Sequence, residues 1–74
     1  MFENMNGITD RTIKMWNDHI KKLKETKDIE TILSIQTRLY GIATTLWTQE
    51  TINYKQFCIL EETIEKLVNE KLES

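Results

Sequence analysis

Apolar residues along this chain recur at helical spacing, in three separate periods. Between about Thr9 and Glu25, Ile13, Trp16, Ile20 and Leu23 are three, four and three residues apart, which sets them on one stripe of a first helix. Thr9 or Asp10 can cap its free N–H groups. Lys21, Lys22, Lys24 and Lys27 crowd its far end, where positive charge offsets the carbonyl end of the helix dipole.

The second period, about Asp28 to Thr48, carries two adjacent stripes. One is Ile32, Ile35, Leu39, Ile42 and Leu46; the other is Ile29, Leu33, Tyr40, Ala43 and Trp47. At ~100° per residue they merge into an apolar arc of roughly half the circumference. A helix so wide touches two neighbours, so it is expected at the centre of the fold, with Asp28 as its cap. Gly41 falls on the polar arc with Ser34, Arg38 and Thr45. There it should weaken the helix by about 1 kcal/mol relative to alanine and mark a bend.

The third helix announces its start most clearly. Asn53 and Gln56 form a capping box, and Ile52 and Phe57 a hydrophobic staple around it. Its core stripe is Phe57, Leu60, Ile64, Leu67 and Val68, continuing to about Leu72. Both inter-helix links are short, so neighbouring helices run antiparallel. The chain therefore reads as one all-α domain over residues 1–74. It is an up-down-up three-helix bundle with helices at about 9–25, 28–48 and 53–72, a long central helix, and residues 1–8 as a short arm.

Phe57, Cys58, Ile59 and Leu60 are consecutive, and a helix with one wet face buries only two of four such residues. Phe57 and Leu60 belong to the core stripe. Ile59 points about 160° away from Phe57. Tyr54, Cys58 and Glu62 line the other flank at four-residue spacing. Of these two edges the first helix is expected to cover one, through His19 or Met15. Tyr54, Cys58, Ile59 and Glu62 are thus the candidate protein-partner-binding residues. Against this stands the ordinary occurrence of single apolar residues on protein surfaces.

Composition narrows the function. A single core of this size contributes only ~3–5 kcal/mol of net stability, so small chains often add a disulfide, a metal or a partner. Cys58 is the only cysteine, which rules out an internal disulfide and suits a cytoplasmic protein. His19 and Cys58 lack the clustered companions of a structural zinc site, so no metal or other cofactor is expected. No apolar run is long enough to cross a membrane, and "MFENMNG" does not read as a secretory signal. A Cys58–His19 catalytic pair would need an orienting group and oxyanion donors, and no glycine-rich turn supplies them. Glu61, Glu62 and Glu65 share their helix with Lys66 and Glu70 at salt-bridging intervals, the mark of a solvated face rather than of acid–base catalysis. Trp16, Tyr40 and Trp47 sit on apolar stripes, where aromatic rings are core more often than base-stacking platforms.

The net charge of −2 points to no polyanionic partner. The first helix is basic, but a helix-turn-helix would place its recognition helix last, and the last helix here is acidic. Abundant Ile, Thr, Lys, Asn and Glu, a single alanine and no proline indicate AT-rich coding, as in low-GC bacteria and their phages. The leading expectation is a non-enzymatic interaction module that binds a larger protein and regulates or inhibits it, with a phage or mobile element as the origin its composition suggests. The alternatives are a small nucleic-acid-associated factor using the basic first helix, and a structural homodimer.

Overall fold

The computed structural model describes residues 7–73, so most of the expected N-terminal arm lies outside the described residues. Three helices follow one another: α1 (Asp10–Glu25), α2 (Ile29–Thr48) and α3 (Tyr54–Glu73). Each begins where the sequence offers a side-chain acceptor. Thr9 Oγ1 accepts from the backbone N–H of Thr12 at 3.2 Å. Asp28 Oδ2 accepts from the backbone N–H of Thr31 at 3.0 Å and from the Thr31 hydroxyl at 2.6 Å. The Asn53–Gln56 capping box forms reciprocally, at 2.8 and 2.9 Å, satisfying two otherwise free donors. Ile52 and Phe57, the pair expected to staple this cap, are both buried in the core.

The helix ends use different chemistry. In the link after α1, the Thr26 hydroxyl accepts from the Asp28 N–H at 3.2 Å. α2 ends in a Schellman motif: the N–H of Thr51 donates to the Leu46 carbonyl and that of Glu50 to the Trp47 carbonyl, both at 2.9 Å. Glu50 holds the left-handed position of that motif with φ 60°, where glycine is usual. α2 runs unbroken through Gly41 and has the same 20-residue length as α3.

Trp47 stacks on Phe57, and the Tyr40 hydroxyl meets Glu65, so rising position in α2 matches falling position in α3. These two helices are antiparallel. Lys71 Nζ donates to the Lys24 carbonyl at 3.1 Å, tying the end of α3 to the end of α1. All three helices pack on one another around an apolar core, with the up-down-up order expected. α1 gives Trp16 and Leu23, α2 gives Ile32, Ile35, Leu39, Ala43 and Leu46, and α3 gives Phe57, Leu60, Ile64 and Val68. Ile13, Ile20, Ile42 and Leu67 close its margins.

Candidate interaction surface

α1 covers one side of the α2–α3 pair and leaves the other open. On α2, Arg38 and Tyr40 flank the buried Leu39 at about 100° to either side. Arg38, Gly41, Ile42 and Thr45 share a shallow groove with Thr12, Met15 and His19 of α1. Tyr40 therefore belongs to the opposite flank, and Ile29, Leu33 and Trp47 share its side of the helix. On α3, Tyr54, Cys58, Glu61, Glu65 and Leu72 stand on the matching side of the Ile64 stripe. The antiparallel register fixed by Trp47–Phe57 and Tyr40–Glu65 sets Leu33 level with Leu72.

This flank holds most of the large apolar surface that the fold leaves bare. Seven large apolar side chains are exposed among the described residues, and five of them, Ile29, Leu33, Trp47, Tyr54 and Leu72, lie here. Ile29 and Tyr54 are the most open, at 61% and 63%. Scattered exposed apolar residues need no explanation, but five on one flank form a patch. Ile29 and Leu33 were expected on an apolar stripe, and the outer half of that stripe has no helix to cover it.

The chemistry of the flank varies along its length. At the α2–α3 turn, Trp47 stacks on Phe57 with centroids 4.5 Å apart, and Tyr54 tilts against Trp47 at 5.5 Å. Phe57 is buried beneath, while Trp47 and Tyr54 present their rings outward. Hydrogen bonding to Cys58, the first cause, holds the Tyr54 hydroxyl above its ordinary pKa. In the middle, the Tyr40 hydroxyl donates to Glu65 Oε1 at 3.3 Å. Burial, then the Glu65 charge, push the Tyr40 pKa up. Glu61 is half-buried beside them. At the far end, Leu33, Leu72 and Ile29 are apolar again. Neither helix places a lysine or arginine in this row.

Of the four residues singled out in the sequence, Tyr54 and Cys58 lie on this flank, with Cys58 half-buried. Ile59 is 44% exposed but sits about 140° round α3 from Tyr54, and Glu62 lies beyond the edge of the row. The four are therefore not one surface. α1 was expected to cover one of the two α3 edges through His19 or Met15, but these two side chains line the groove against α2 instead. Ile29, Leu33, Trp47 and Leu72 were assigned to the core side by their spacing. The signal that they are surface is the width of the α2 arc, which exceeds what two neighbours in a three-helix bundle can hide.

Other chemistry has less to stand on. His19 is in the α1–α2 groove and Cys58 on the α2–α3 flank, on different sides of the bundle. The described core contains no buried polar or charged side chain. Among the described residues no three His, Cys, Asp or Glu side chains gather as a metal site, and no helix is long and apolar enough to cross a membrane. The chain matches no protein-family model, no curated protein and no solved structure.

Proposed function

We propose that this chain is a non-enzymatic interaction module that docks on another protein through the open α2–α3 flank and regulates or inhibits it by occupying its surface. The observation that carries this reading is the gathering, on the one flank that α1 leaves uncovered, of five of the seven large apolar side chains exposed among the described residues. A bundle this small has limited core, so hiding that flank against a partner stabilises it as well as the complex. Apolar and aromatic groups sit at the centre of such contacts, with charged residues at the rim. Tyr54 and Cys58 take part, and Trp47 and Leu33 are the apolar anchors towards the two ends of the flank.

The test compares three tagged chains in cells that express the protein: the parent, Leu33→Glu and Ile59→Glu. Leu33 and Ile59 have nearly equal exposure, 46% and 44%, so both variants should keep the parent's unfolding free energy to within about 0.5 kcal/mol. A partner recovered by the parent and by Ile59→Glu, but lost by Leu33→Glu, supports docking through this flank. A partner lost only by Ile59→Glu moves the surface to the outer face of α3. No partner for any of the three refutes the reading.

A further inference from the structure

We infer that the occupant of the open flank is an amphipathic helix of a partner protein that carries bulky apolar residues at two positions fourteen apart and a lysine or arginine midway between them. This rests on the interaction reading above and names the partner's chemistry. Leu33, Tyr40 and Trp47 are spaced by seven residues, so their level along α2 changes by about 10 Å each time. The two ends of the row are apolar: Leu33 with Leu72, and Trp47 with Tyr54. The middle is acidic, because Glu65 receives the Tyr40 hydroxyl there and Glu61 is half-buried beside it. No basic side chain of α2 or α3 stands in the row to neutralise them.

A helix fits this flank for the same reason that α1 fits the other. Two antiparallel helices leave a straight groove on each side, and filling the second one completes a four-helix bundle. From Ile29 to Trp47 the groove runs about 27 Å, which an 18-residue helix spans. On such a helix, residues seven apart face the same way, so its first and fifteenth positions would cover the apolar ends. Its eighth would meet the glutamates. A cation at that level gains a charge-assisted contact in a partly desolvated place, whereas an apolar residue would bury Glu61 unpaired.

A second copy of this chain suits the flank less well. Symmetric docking would bring Glu61 and Glu65 against their own equivalents. The basic helix α1 has already buried its Trp16 and Leu23 and keeps only Met15 as an exposed anchor.

The experiment selects peptides on the full chain. A library of helical peptides of about 18 residues is randomised at three positions seven apart and enriched against the parent. The expected winners carry large apolar residues at the outer two positions and lysine or arginine in the middle. The double variant Glu61→Lys/Glu65→Lys should bind them about tenfold more weakly and prefer peptides with a central glutamate by a similar factor. Glu65→Gln, which removes charge with little change of shape, should give a smaller loss in the same direction. Enrichment that Leu33→Glu and Trp47→Glu abolish, but with no preference for a central cation, overturns the inference and leaves the interaction reading standing. A parent that sediments as a dimer while Leu33→Glu is monomeric also overturns it, by making a second copy the occupant. Peptides that bind equally to Leu33→Glu and Trp47→Glu, or no enrichment at all, overturn both.

Discussion

Replacing Glu50 by glycine should stabilise the protein, and the structure fixes both the sign and the size. Glu50 sits at φ 60°, between α2 and the capping box of α3. A side chain in the left-handed region costs about 1–2 kcal/mol through crowding of Cβ against the following carbonyl. Glycine removes that term but gives the unfolded chain more freedom, which returns about 0.4–1 kcal/mol. Glu50 also places a negative charge beside the carbonyl end of α2, whose last turn contains no basic residue. Removing it contributes a further ~0.3 kcal/mol. The net expectation is about 1 kcal/mol of added stability, or roughly 4–8 °C in Tm for a domain of this size. The backbone hydrogen bonds of the Schellman motif are unaffected, since they use main-chain atoms. The assay is urea and thermal unfolding by far-ultraviolet circular dichroism for the parent, Glu50→Gly and Glu50→Ala. Alanine removes the charge but keeps the strained Cβ, so it should recover only the ~0.3 kcal/mol electrostatic part. If glycine and alanine behave alike, backbone strain at Glu50 is not a determinant of stability and the reasoning fails.

Phe57→Ala removes a buried ring that also supports Trp47, and should cost about 3 kcal/mol, the lower end for such truncations because the exposed Trp47 can settle into the space; an unchanged urea midpoint would contradict this. Gly41→Ala should stabilise by about 0.8–1 kcal/mol, since a new Cβ there meets nothing within 4 Å and glycine weakens a helix interior; a lower Tm would contradict this. Hydrogen bonds from Thr31, side chain first and backbone second, hold the Asp28 carboxyl below its ordinary 3.8. A depressed folded-state pKa contributes stability that is present above the unfolded value and is lost as pH falls through the folded one. The stability gap between the parent and Asp28→Asn should therefore be steady near neutrality and shrink in acid below about pH 4; a gap that widens in acid would refute the sign.

Helix starts were legible because each is written in local chemistry. Thr9, Asp28 and the Asn53–Gln56 box each accept backbone hydrogen bonds from residues three positions away, so a linear reading finds them. The end of α2 was legible in position but not in mechanism, because the residue in the left-handed position is a glutamate and carries no glycine signal. Gly41, read as a bend, lies inside α2, which stays helical on both sides of it. The open flank was half legible. Periodicity showed that the apolar arc of α2 is wide, but an arc has two edges, and periodicity does not say on which of them α1 packs. That choice depends on the hand of the bundle, a property of three helices together. The four-residue run 57–60 drew attention to Tyr54 and Cys58 for a sound reason, their position beside the core stripe. It drew in Ile59 because that residue points away from the core stripe, and Ile59 is indeed exposed, but on the other edge of α3.

The odd number of helices has a mechanical consequence. Gly7 stands by Thr51 at the α2–α3 turn, and Lys71 reaches Lys24 at the α1–α2 link, so the described chain enters the bundle at one end and leaves it at the other. A 20-residue helix is about 30 Å long, which sets the separation of those two points. A load applied between them would run parallel to the helix axes. It would shear the core contacts of α1 and α3 against α2 together, rather than peel one helix away turn by turn. Joined in line between two other domains, the bundle would act as a stiff strut of fixed length, with its apolar flank facing sideways and accessible under tension.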